Sequence, residues 1–67
     1  MNKCVITSNS SNGREYEVKT TSAMKCAAEY GRAEGGEIVT VYSPTGKPLS
    51  EVRWSPEDGG HYYRVSK

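Results

Sequence analysis

Apolar and polar residues alternate through most of this chain, and one window breaks the rhythm. KCVITS, Lys3 to Ser8, alternates and is rich in β-branched residues, which predicts a strand. REYEVK, Arg14 to Lys19, alternates again, with Tyr16 and Val18 on one side and Glu15, Glu17 and Lys19 on the other. Between them Asn12-Gly13 is a strong two-residue turn signal, because both types tolerate positive φ. The break comes at SAMKCAAEYGRA, where Met24, Ala27, Ala28 and Gly31 recur at helical spacing. Thr20, Thr21 and Ser22 offer capping hydroxyls at its start, and Gly35-Gly36 offers a stop. EIVTVYS, Glu37 to Ser43, is the most β-prone run, and Ser43-Pro44-Thr45-Gly46 has the composition of a type I turn. A fourth strand is expected from about Pro48 to Trp54, then a single helical turn at Ser55-Pro56-Glu57-Asp58, then a fifth strand from His61 to Ser66.

The predicted order is ββαβββ in a single small domain spanning residues 1–67. Short connections place strands three and five antiparallel to strand one. The fold class is α+β: a curved antiparallel five-stranded sheet packed on one helix.

Strand alternation then sorts side chains between the faces. Ile6, Tyr16, Val18, Val39, Val41, Val52, Trp54, Tyr63 and Val65 are assigned to the helix side, since a chain poor in apolar residues needs its largest ones inside. Lys3, Glu15, Glu17, Lys19, Ile38, Thr40, Tyr42, Leu49, Glu51, Arg53, Tyr62, Arg64 and Lys67 are left for the open side. On that side Tyr42, Arg53, Tyr62 and Arg64, with Ile38 and Leu49 beside them, form the candidate binding surface. Aromatic rings interleaved with Arg suit stacked bases and phosphates. They equally suit a protein contact, or simple cross-strand pairing on a solvated sheet. Glu15, Glu17 and Glu51 would repel phosphate from the same surface.

Composition narrows the classes. The chain has no Phe, one Trp and 34% hydrophobic residues, against a usual fraction of about 45–50% on a scale that also counts Gly. A core this thin is marginal, and a homodimer sharing a sheet edge, or joined through Ile38, Tyr42 and Leu49, would relieve it. The net charge of +1 is not that of a dedicated duplex-DNA binder. No apolar run suggests a membrane span or a signal peptide, so a cytoplasmic location is the default expectation. Cys4 and Cys26 are then expected to be reduced, and a disulfide would require strand one to pass beside the helix.

Candidate chemistry is sparse. A hydrolytic set would need His61, the one histidine, with Ser55 or Asp58, and both of those are better explained by the turn they sit in. Cys26 lies mid-helix, away from the end that would activate a thiol. Cys4, Cys26, His61 and the carboxylates lack metal-ligand spacing. The paired glycines follow helical segments, whereas a phosphate loop needs them before one. No enzyme, cofactor or metal site is expected.

In length, in the lack of a catalytic motif, and in the aromatic and charged surface of Tyr42, Arg53, Tyr62 and Arg64, the chain resembles the small accessory proteins of bacteriophages and mobile elements, anti-CRISPR proteins among them. The resemblance implies a compact α+β domain that acts by binding, and it carries no motif that would assign a role to any residue. The leading expectation is a non-enzymatic module that binds a protein or nucleoprotein partner through the open sheet face. The alternative is direct binding of single-stranded nucleic acid, with a small enzyme third.

Overall fold

The computed structural model describes residues 1–65. The elements are β1 (Asn2–Ser8), β2 (Ser11–Val18), α1 (Ala23–Tyr30), β3 (Ile38–Tyr42), β4 (Pro48–Ser55), a 3-10 turn (Glu57–Gly59) and β5 (His61–Arg64). The strands form one open, curved, five-stranded sheet in the order β2-β1-β3-β4-β5, antiparallel throughout. Helix α1 packs on one face. The α+β, ββαβββ expectation holds. Ser66, expected to end the last strand, and Lys67, expected on the open face, lie outside the described residues.

The first hairpin turns earlier than Asn12-Gly13. Ser8 pairs with Ser11, so Asn9 and Ser10 make the turn, and the register slips between Ile6 and Ser8. Gly13, at φ 111°, sits in that irregularity. Its tolerance of positive φ thus serves a bulge in β2 instead of the turn. The Ser43–Gly46 turn forms as expected, with the Gly46 N–H donating to the Ser43 carbonyl at 2.9 Å.

The core is one layer thick. Cys4 and Ile6 of β1, Val18 of β2, Val39 and Val41 of β3 and Val52 of β4 are buried against Ala23, Cys26 and Ala27 of α1. Both cysteines are free thiols within that layer. Tyr16, Met24, Tyr30 and Tyr62 pack half-buried around it.

The helix sits one residue out of the expected phase. Ala23, Cys26, Ala27 and Tyr30 face the sheet, while Ala28 is exposed. Two anchors set this rotation. At the start, Ser50 of β4 donates to the Thr21 carbonyl and accepts the Ala23 N–H. At the end, the Tyr30 ring stacks on Tyr16 of β2, centroids 4.1 Å apart and 9° from parallel. Ser22 caps the helix by accepting the Lys25 N–H. The helix ends at Gly31, well before Gly35-Gly36. A Cβ at Gly31 would collide with the Tyr62 hydroxyl and the Ala27 carbonyl.

β5 also adopts the opposite phase. Trp54 pairs with Tyr62, Arg53 with Tyr63 and Val52 with Arg64. Paired residues share a face, so Tyr62 and Arg64 stand on the helix side and Tyr63 on the open side. Tyr63, expected in the core, is 43% exposed. Trp54 has the expected side but lies beyond the helix end, half-buried, with its ring against Gly60.

Candidate functional site

The candidate surface separates into three places. Ile38, Arg53 and Tyr63 form one cross-strand row on the open face, continued by Thr7 on β1. Tyr42, at one end of β3, faces Lys3 and shares a shallow groove of about 420 Å³ with Met1, Glu17 and Pro44. Leu49 and Arg64 instead line a groove of about 460 Å³ beside the helix start, with Met24 and Val65. Tyr62 is wedged beneath the helix end.

Electrostatics on the open face are mixed. Strand alternation puts Lys3 and Arg53 there with Glu15, Glu17 and Glu51. Arg53 Nε pairs with Glu51 at 2.9 Å, and Lys3 Nζ with Glu15 at 3.1 Å. With Arg64 on the far side and Tyr63 in place of Tyr62, this face has lost one arginine relative to what alternation alone suggested and keeps as many tyrosine rings. Thr40, flanked by Val5 and Glu51, is buried at its centre.

Beneath the far face lies a polar cluster that the sequence reading missed. Glu37, 1% exposed, accepts the Arg32 N–H at 3.0 Å, the Ala33 N–H at 3.3 Å and the Tyr62 hydroxyl. Arg14 Nη2 stands 3.6 Å from the same carboxylate. Arg14 Nη1 donates to the Tyr16 hydroxyl and the Tyr30 carbonyl. A buried carboxylate is tolerable only with such partners. The cluster ties β2, the helix end and β5 together. It also explains the phase of β5, because a buried tyrosine hydroxyl needs a hydrogen-bond partner and Glu37 supplies one to Tyr62. A second clasp holds the β1–β2 turn: Glu34 accepts from Ser8 and Ser10, and the Asn9 N–H reaches the Gly35 carbonyl. Those two hydroxyl bonds hold the Glu34 carboxyl below its ordinary pKa.

The candidate catalytic residues are engaged locally. The Ser55 hydroxyl accepts the Glu57 N–H, and His61 Nδ1 lies 3.2 Å from the Glu57 carbonyl. Asp58 takes a left-handed conformation at φ 53°. Among the described residues no three His, Cys, Asp or Glu side chains cluster as metal ligands. No helix there is long and apolar enough to cross a membrane.

Burial pushes the Cys4 thiol up to about 12, and raises Cys26 as well. Burial, together with the bond to Glu37, pushes the Tyr62 hydroxyl up to about 12. A folded-state pKa above the unfolded value means that the fold retains protons the open chain would release. The resulting stability is complete below the ordinary thiol value of 9.0 and is lost as pH rises toward 12. Urea midpoints should therefore fall progressively above pH 9, and Tyr62→Phe should flatten the upper part of that fall. A midpoint independent of pH across this range would contradict the burial of these groups.

No protein-family model, curated protein or solved structure matches this chain.

Proposed function

We propose that the chain is a non-enzymatic binding module that recognises a protein partner through the open face of its sheet. The observation that carries this reading is the row Ile38–Arg53–Tyr63. A molecule short of apolar residues leaves Tyr63 exposed beside Arg53 on a face that no element covers among the described residues. Tyr and Arg are the side chains that most often dominate protein contacts. The strands put three carboxylates and two cations on this face, with Lys19 just past β2, a mixed set that favours a protein over a phosphate backbone. Such a module suits an accessory factor of the bacteriophage and mobile-element kind that the chain resembles.

The test separates the two faces. The double variant Arg53→Glu with Tyr63→Ala should fold within about 1 kcal/mol of the parent, since both side chains are surface-exposed. It should lose any protein that the parent retains on an affinity column. Arg64→Glu, on the helix side, should keep that protein. Retention by the double variant would refute the reading. Binding of a single-stranded oligonucleotide that weakens steeply with salt and disappears with Arg53→Glu would replace it with the nucleic-acid alternative.

A further inference from the structure

The outer edge of β2 is a second surface, independent of the open-face reading. β2 is the terminal strand of the sheet and runs eight residues, Ser11–Val18. The opposite edge, β5, has only four, His61–Arg64. β2 contains no Pro, and among the described residues its backbone meets β1 on one side, with a single further bond from the Gly13 N–H to the Ser11 hydroxyl. Past the bulge at Gly13, the regular stretch Arg14–Val18 presents a row of unpaired N–H and C=O groups to any extended chain.

The side chains along that edge select what can add. Glu15 and Glu17 alternate on the open face, both exposed. Lys3 faces Glu17 in register but ion-pairs with Glu15, and Lys19 follows just past the strand. Among the described residues Glu17 makes no ion pair. Arg14, Tyr16 and Val18 alternate on the helix face, with the Tyr16 ring covered by Tyr30.

A second copy of β2 is a poor match. In an antiparallel two-fold pairing, residues opposite each other share a face, so the axis must pass through a residue. An axis at Tyr16 sets Glu15 against Glu17 twice. An axis at Glu15 or Glu17 sets that residue against itself. Each of these registers juxtaposes like charges, which is destabilising, and an axis at Val18, which sets Glu17 against Lys19, overlaps only the last residues of the strand.

We propose that the β2 edge accepts an added strand from a cationic extended segment of a partner protein. Its Lys or Arg side chains stand opposite Glu15 and Glu17, and the apolar side chains between them cover the flank of Tyr16 and Val18. The backbone ladder supplies the attachment, and the two carboxylates supply the selection.

The probe is a fluorescent peptide of alternating Lys and Val, titrated with the intact chain by anisotropy. Two control peptides replace Lys by Glu, or methylate alternate backbone nitrogens. The Lys peptide should bind saturably, and each control should bind at least tenfold more weakly. The double variant Glu15→Lys with Glu17→Lys should reverse the preference in favour of the Glu peptide. Hydrogen exchange should slow at alternate amides of β2 in the complex. Absence of saturable binding would overturn the proposal. So would binding insensitive to methylation or to the charge reversal, or protection confined to β5 or the open-face row.

Discussion

Replacing Glu37 by Ala is expected to remove about 3–5 kcal/mol of stability, because breaking a buried pair leaves its partner charge uncompensated. For 67 residues the whole unfolding free energy is only about 3–10 kcal/mol, so the variant should be at or near unfolding at room temperature. The loss has several parts. Arg14 keeps a largely buried guanidinium with no carboxylate beside it, and its Nε and Nη2 already lack hydrogen-bond partners. The Arg32 and Ala33 N–H groups lose an acceptor, and so does the Tyr62 hydroxyl. Glu37→Gln should fall between parent and Ala, since an amide oxygen accepts hydrogen bonds but cannot balance Arg14. The double variant Arg14→Met with Glu37→Leu should recover much of the loss by removing both charges together. Urea denaturation of the four proteins measures these differences. A Glu37→Ala midpoint close to the parent's would show that the cluster is not a structural tie.

The second large effect distinguishes adjacent residues of the helix. Ala27→Lys should cost about 3 kcal/mol or more, since Ala27 is 2% exposed and an ammonium there would meet only apolar side chains. Ala28→Lys should stay within about 0.5 kcal/mol, because Ala28 is exposed. Thermal melts of the two variants give a direct reading of helix rotation. Equal losses would mean that α1 is turned differently on the sheet.

Both residues bear on how much of this molecule its sequence reveals. The period of two in KCVITS and EIVTVYS was enough for the strands, and the antiparallel arrangement followed from short connections, whereas the strand order did not. Helix phase was not, because Ala23, Ala27 and Ala28 are alike in hydrophobicity, and what sets the rotation is contact with Ser50 and Tyr16 on distant strands. The phase of β5 was hidden for a related reason. Two adjacent tyrosines satisfy either alternation, and the choice is made by a bond from Tyr62 to Glu37 across the fold. Tyr42, Arg53 and Ile38 were placed on their correct face from alternation alone, whereas Tyr62 and Arg64 were not. The buried cluster did have a signal. Glu37 has the same parity as Val39 and Val41, and Arg14 the same parity as Tyr16 and Val18, so alternation already points both charges inward. An acid and a base each in phase with the core are a pair worth seeking.

The strand order also governs the order of assembly. Three of the four ladders join neighbours in the chain, β1 to β2, β3 to β4 and β4 to β5, while β1 and β3 meet across the intervening hairpin and helix. Local hairpins close quickly, whereas a pairing across a long loop must first overcome its closure entropy. The first hairpin and the three-stranded meander are thus natural independent nuclei, and their docking along Cys4–Val41 and Ile6–Val39 is expected to set the refolding rate. In denaturant-jump experiments Val41→Ala should mainly slow refolding, whereas Trp54→Ala, on β4 opposite Tyr62 of β5 and away from that seam, should mainly speed unfolding.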